Sequence, residues 1–174
     1  TRRHYFDHIN GAACREKVRV RWYGAFQGWV ERPRLEFKYR RGLLGGKTTH
    51  ALPAFTVNGG FRRTELAALW LDLPEAIRLR LGGVEPSLAN RYRRRYFVSA
   101  DGHFRLTLDW ALETWDVRTT SRPVHPTMPE GPLFILELKY DALQAPEADR
   151  IANAFPFRLI RCSKYVLGVE RLES

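Results

Sequence analysis

Residues 17–26 read KVRVRWYGAF. In an extended chain successive side chains point to opposite faces. As a strand, this stretch puts Lys17, Arg19 and Arg21 on one face and Val18, Val20 and Trp22 on the other. A sheet that carries a row of cations needs something for them to hold.

The same alternation recurs along the chain. In RLEFKYR (34–40), Arg34, Glu36, Lys38 and Arg40 oppose Leu35, Phe37 and Tyr39. In HFRLTLDW (103–110), Arg105, Thr107 and Asp109 oppose Phe104, Leu106, Leu108 and Trp110. In FILELKYD (134–141), Glu137 and Lys139 share a face with Ile135, against Phe134, Leu136, Leu138 and Tyr140. A half-buried antiparallel sheet with its polar face in water gives this alternation too. Two features favour a polar face turned inward instead. Arginine dominates the polar positions and suits bidentate contacts to phosphate. The apolar faces are large and aromatic, as they would be if packed on helices and outer layers. A closed barrel can combine the two by wrapping its polar face around a ligand.

Composition agrees with an anionic partner. The chain has 174 residues with a formal net charge of +10 and a pI near 10.1. Nucleic acid, phosphate-rich small molecules, polyphosphate and anionic membranes are the partner classes this implies. The length suggests one domain, and 44% hydrophobic residues can build a core. No apolar run is long enough to span a bilayer, and the segment after Thr1 does not resemble a secretory signal. Cys14 and Cys162 are too few for a disulfide framework or a zinc site. They read as ordinary, partly buried thiols in a reducing, cytoplasmic setting.

The remaining segments complete an α+β pattern. RRHYFDH (2–8) reads as a short strand. RGLLGGKTTHALPAFTVNGG (41–60) has many glycines and no clear period, and reads as a long loop. RRTELAALWLDLPEAIRLRLGG (62–83) is helical. Thr64 is placed to cap it, Pro74 to start a second piece and Gly82–Gly83 to end that piece. Residues 90–115 read as a hairpin turning at Asp101–Gly102. Four prolines over 121–132 favour an extended connection. EADRIANAF (147–155) is a short helix with Pro146 at its start. FRLIRCSKYVLGV (157–169) reads as a loop followed by a strand.

Seven motifs then stand in a familiar order: YFD, KVRVRWYG, LEFKYRRGL, YRRRYF, FRLTLD, LELKYD and CSKYVLGV. Their order and spacing, over about residues 4 to 169, resemble the VTC domain of the triphosphate tunnel metalloenzyme (CYTH) superfamily. The resemblance implies an antiparallel β-barrel tunnel with a basic lumen. It implies a polyphosphate polymerase that moves the γ-phosphate of ATP onto a polyphosphate chain, releases ADP and uses a divalent metal, Mn²⁺ or Mg²⁺. Related tunnel proteins hydrolyse triphosphates, and a binder of polyphosphate or nucleotide without chemistry is a further alternative. By the same resemblance Arg19, Arg21, Lys38, Tyr92, Arg94, Arg105, Lys139, Arg161, Ser163 and Lys164 are the phosphate ligands. Lys38, Arg94, Arg105 and Lys164 are the catalytic cations among them, and Glu137 is the metal ligand.

Periodicity alone does not choose Arg94 over Arg93 or Arg95. Lys38 and Lys139 also fit plain ion pairs with Glu36 and Glu137, and Arg19 and Arg21 also fit a solvated edge. Tyr92 also fits a core position with a satisfied hydroxyl, and Ser163 a turn cap. The expected partners are ATP or another triphosphate and inorganic polyphosphate, without a membrane span. Stable nucleic-acid binding is not expected, although RYRRRYF could stack bases. Family members begin with a lysine-bearing strand, which is expected before Thr1.

Overall fold

The computed structural model describes residues 5–6, 10, 12–41, 44–58, 68–82, 84, 86–117, 126–160 and 162–173. The chain divides into two compact units, residues 1–89 with 116–125, and residues 90–115 with 126–174.

The first unit holds strands β1 (Cys14–Arg21), β2 (Gly28–Val30), β3 (Arg34–Arg41), β4 (Leu44–Ala51) and β5 (Phe55–Val57), and helix α1 (Glu75–Leu81). β1, β3 and β4 form an antiparallel sheet with β3 in the middle, and β2 pairs with β5. Register fixes which side chains lie side by side. Lys17, Lys38 and Lys47 form one row, Arg19, Glu36 and Thr49 the next, and Arg21, Arg34 and Ala51 the one after. The alternate residues build the core. Leu35 and Phe37 are fully buried with Leu52, Leu73 and Leu81, and Val18, Val20, Trp70, Ile77 and Val84 pack around them. Helix α1 starts after Pro74 with Glu75 in its first turn and ends at Gly82, as its sequence signals require. Its Arg80 lies over the Phe37 ring, 4.1 Å from the centroid, and pairs with Glu16.

The segment 41–60 is not a loop. It supplies β4 and β5. Gly45, Gly46 and the polar run Lys47–His50 lack apolar alternation, so pairing with β3 defines this strand, not its own pattern. Gly46 lets the tip of the Tyr39 ring lie across it: a Cβ there would collide with Tyr39 Cζ, and the ring would have to swing aside. Tyr5 and Phe6 are helical where a strand was expected, and the Asn10 N–H donates to the Phe6 carbonyl at 2.9 Å. The cap expected at Thr64 lies outside the described residues.

The second unit is built on β6 (Leu88–Val98), β7 (Arg105–Asp116) and β8 (Ile135–Lys139), paired in that order. The predicted hairpin forms. Ser99 N–H donates to the Phe104 carbonyl at 3.0 Å, and Gly102 takes a φ of 74° in the turn, which glycine adopts without strain. The Asp101 carboxylate accepts bonds from the Ser99 hydroxyl and the His103 N–H. β7 pairs with β8 so that Arg105 faces Lys139, Thr107 faces Glu137 and Asp109 faces Ile135. Of the proline-rich stretch residues 126–132 are described: Thr127 is tied to Thr114 by two backbone bonds, and the chain bends at Glu130–Gly131, where Gly131 takes a φ of 82°.

Helix α2 (Ala145–Asn153) follows a 3-10 turn at Ala142–Gln144, with Pro146 in its first turn as expected. The final element corrects the sequence reading. Residues 164–173 are not a strand but helix α3 (Lys164–Glu173), which buries Val166, Gly168 and Val169. The β-branched residues suggested a strand, while Val166, Val169 and Leu172 carry the helical spacing.

The class is α+β with antiparallel sheets. Strand pairing yields three sheets, with no closed ring of pairings among the described residues. On β7 the polar Thr107 and Asp109 are buried, although Arg105 on their face is exposed, and Leu106, Leu108 and Trp110 opposite them are half-buried. No described helix is long and apolar enough to cross a membrane.

Candidate functional site

Each unit centres its cations on one buried carboxylate. In the first unit that group is Glu36, with 0% exposure. Its position in the middle strand places it between the arginines of β1 and the lysine of β4. Arg19 reaches it side-on, with Nε 2.8 Å and Nη2 2.6 Å from Oε2. Arg21 does the same to Oε1 at 3.0 and 2.9 Å, and Lys47 Nζ lies 3.5 Å from Oε1. Burial pushes the Glu36 carboxyl up. The Arg19 hydrogen bond and the charges of Arg19, Arg21 and Lys47 outweigh that and hold it below the usual carboxylate value. Glu36 is therefore anionic at neutral pH, and one carboxylate faces three cations. Lys17 and Lys38 stand in the adjacent row.

Arg19 and Arg21 are thus neither a bare solvated edge nor wholly buried: they keep 43% and 26% exposure while tied from behind. Arg21 also donates from Nη1 to the Tyr23 hydroxyl and lies over that ring at 4.8 Å. Lys38 shares their face and is exposed.

In the second unit the centre is Asp109, 2% exposed. Arg94 Nε and Nη2 donate to its two oxygens at 2.5 and 2.7 Å, and Lys164 Nζ sits 2.5 Å from Oδ2. Here too burial raises the carboxyl pKa, and the bonds from Arg94 and Lys164 more than reverse it. The hydrogen bond to Asp109 in turn raises the pKa of Arg94. Tyr92 lies beneath both cations, with Lys164 Nζ 4.7 Å and the Arg94 guanidinium 5.2 Å from its ring centre. Tyr92 is thus half-buried as a cation platform. Arg94 joins this cluster while Arg93 and Arg95, on the opposite side of the strand, are exposed. Lys164 opens α3, where the helix dipole disfavours a cation, and Asp109 compensates. Ser163 directly precedes it, and its carbonyl accepts the Leu167 N–H at 3.0 Å.

Arg105, Lys139 and Glu137 lie on the same face of this sheet as Asp109 and are exposed. Glu137 pairs with Lys139 at 3.4 Å, and across from Glu137 the Thr107 hydroxyl is buried without a hydrogen-bond partner among the described residues. No group of three or more His, Cys, Asp or Glu side chains suited to a metal occurs among the described residues. Arg161 lies outside them. Both cysteines are exposed, not partly buried, because each stands at the edge of an element: Cys14 at the first residue of β1, Cys162 just before α3.

Three members of these clusters, Glu36, Lys47 and Asp109, are not among the site residues expected from the sequence. Lys47 lay in the supposed loop, and its place next to Lys38 follows only from the β3–β4 register. Asp109 was visible only as one polar residue of an alternating strand. An isolated acid among arginines, repeated in two strands, was the available signal.

The family model of the VTC domain matches residues 1–173. No curated protein and no solved structure matches the chain.

Proposed function

The chain belongs to the VTC domain family, and from that membership we propose that it binds linear phosphate chains and acts as a polyphosphate polymerase. Family membership is consistent with a polyphosphate-related function. The observation that carries the finer reading is the cationic face of β1, β3 and β4. Glu36 offsets only part of the charge of Arg19, Arg21 and Lys47, and Lys17 and Lys38 stand in the next row of the same face. Guanidinium groups suit phosphate oxygens, and cations held on a rigid sheet lose little freedom on binding.

In this reading Arg19, Arg21 and Lys38 on the sheet of the first unit bind phosphate oxygens and offset their charge, and Arg94, Arg105 and Lys164 do the same within the second unit. A terminal oxygen of the polyphosphate chain attacks the γ-phosphorus of ATP. The new P–O–P bond forms as the bond to the β-phosphate oxygen breaks, and ADP leaves with that electron pair. The chain grows by one phosphate.

Glu137 offers a hard divalent cation one carboxylate. That fits Mg²⁺ or Mn²⁺ arriving with substrate phosphates and keeping several waters, and does not fit an all-protein metal cage. Such an ion would neutralise phosphoryl oxygens when bound. The ion pair of Glu137 with Lys139 favours a second reading, a polyphosphate-binding module without turnover.

The test is incubation of the full chain with γ-labelled ATP, a polyphosphate primer and Mn²⁺. Labelled polyphosphate supports the polymerase, and labelled free phosphate supports a triphosphatase. Tight, salt-sensitive polyphosphate binding without either product supports the module. Absence of binding overturns all three.

A further inference from the structure

We propose that Glu36 is a positioning residue that aims Arg19 and Arg21 at the bound phosphate, an inference that rests on the phosphate-binding reading above. A carboxylate on an anion-binding face is electrostatically adverse. Each elementary negative charge there repels the ligand, so its presence needs a compensating role. Geometry supplies one. Glu36 is wholly buried behind its partners, and both of its oxygens are engaged.

It engages Nε and Nη2 of each guanidinium. Each arginine is thereby held in one plane, with its Nη1 group, which carries two N–H donors, turned away from Glu36. On Arg21 one of those donors goes to the Tyr23 hydroxyl and the Tyr23 ring lies alongside, which fixes the guanidinium further and leaves the second donor for a ligand. Two long side chains that would otherwise sample many rotamers are fixed before the ligand arrives, and the entropy of ordering them is not charged to binding. Register makes the arrangement reproducible: Arg19 is the direct cross-strand partner of Glu36, and Arg21 lies one row along the same face.

Charge and positioning predict opposite signs for one substitution. Glu36→Gln keeps the shape and removes the negative charge. If Glu36 acted only through charge, tripolyphosphate affinity would rise. If it aims the arginines, affinity falls, because Arg19 and Arg21 each meet a different oxygen of Glu36, and in glutamine one of those two acceptors becomes an NH2 donor facing a guanidinium. Loss of aligned, charge-assisted contacts corresponds to about tenfold or more in affinity.

The experiment is calorimetric titration of the full chain with tripolyphosphate in EDTA, at two salt concentrations, beside a melting curve. A folded Glu36→Gln variant that binds about tenfold more weakly, with salt dependence no smaller than that of the unsubstituted chain, supports the inference. Equal or tighter binding overturns it and leaves the phosphate-binding reading standing. No binding by the unsubstituted chain overturns both. Arg19→Lys covers the case in which Glu36→Gln fails to fold. It changes a partly exposed side chain and keeps the charge, but it cannot hold Glu36 side-on while reaching a phosphate. About tenfold weaker binding by Arg19→Lys supports positioning, and retained affinity overturns it.

Discussion

Asp109→Asn removes the charge at the centre of the second unit's cluster and nothing of its size. Two cations lie 2.5–2.7 Å from its oxygens. At an effective dielectric near 20 each attraction is worth about 4 kcal/mol at 4 Å between charge centres. Desolvating a carboxylate that is 2% exposed consumes several kcal/mol of that. The whole cluster therefore contributes little net stability, but removal of the carboxylate alone strands Arg94 and Lys164 side by side over Tyr92. Breaking a buried pair in this way costs about 3–5 kcal/mol. Arg94 and Lys164 retain 22% and 18% exposure, and water screens part of their repulsion, which places the expected loss near 3 kcal/mol.

The dependence on pH has a definite sign. The Asp109 pKa is lowered in the folded chain, so its contribution is present above the unfolded value of about 3.9 and is lost as pH falls through the folded value. Urea unfolding should thus show Asp109→Asn less stable by about 3 kcal/mol at neutral pH, with the gap narrowing below about pH 4. Adding Arg94→Met to Asp109→Asn should cost less than Arg94→Met alone, because the pair is already broken. A neutral-pH loss under about 1 kcal/mol, or a gap that does not narrow in acid, would refute the account of Asp109 as the charge centre.

Other substitutions probe separate parts of the molecule. Leu35→Ala empties a fully buried site beneath the sheet and should cost about 2–5 kcal/mol by urea unfolding. A loss within the ±0.5 kcal/mol or so typical of surface changes would mean that the site collapses or is not core. Glu137→Gln should reduce the stimulation of turnover or of nucleotide binding by Mn²⁺ while changing polyphosphate affinity in EDTA by about twofold or less, since Glu137 is exposed and paired with Lys139. Undiminished metal stimulation would remove Glu137 as the ligand. Although Cys162 is exposed as a whole residue, the protein packed around its sulfur pushes the thiol up, with Lys164 and Arg171 only partly opposing. Peptide-resolved alkylation near neutral pH should therefore find Cys162 several-fold slower than a free cysteine, and equal rates would contradict that.

Alternation carried the fold a long way where the two faces differ in kind. Val18, Val20, Leu35 and Phe37 mark the core side of β1 and β3, and the residues between them form the cationic side. Alternation could not say how deep the polar side lies. Glu36, Thr107 and Asp109 are buried on it, whereas Arg34, Lys38, Arg40 and Arg105 on the same faces are exposed. Depth depends on which cations close over each acid, and that is set by cross-strand register and by α3, not by the strand's own sequence. β4 escaped notice for the same reason, because its glycines and threonines gain meaning only against Tyr39 and Lys38 on β3.

The C-terminal helix misled through its first half. Tyr165, Val166 and Leu167 favour a strand by propensity, while burial of Val166, Gly168 and Val169 on one helical side prevails in the folded chain. That helix also decides the second cluster. As a strand, Lys164 would take its direction from the pleat. As the first residue of α3, it is held 2.5 Å from Asp109 against an unfavourable helix dipole. Both clusters therefore owe their assembly to elements whose own sequences are weak signals, β4 through Lys47 and α3 through Lys164. The strongly patterned strands supply the acids and arginines to which those lysines bind. Strong and weak elements together thus surround each buried acid with more than one cation.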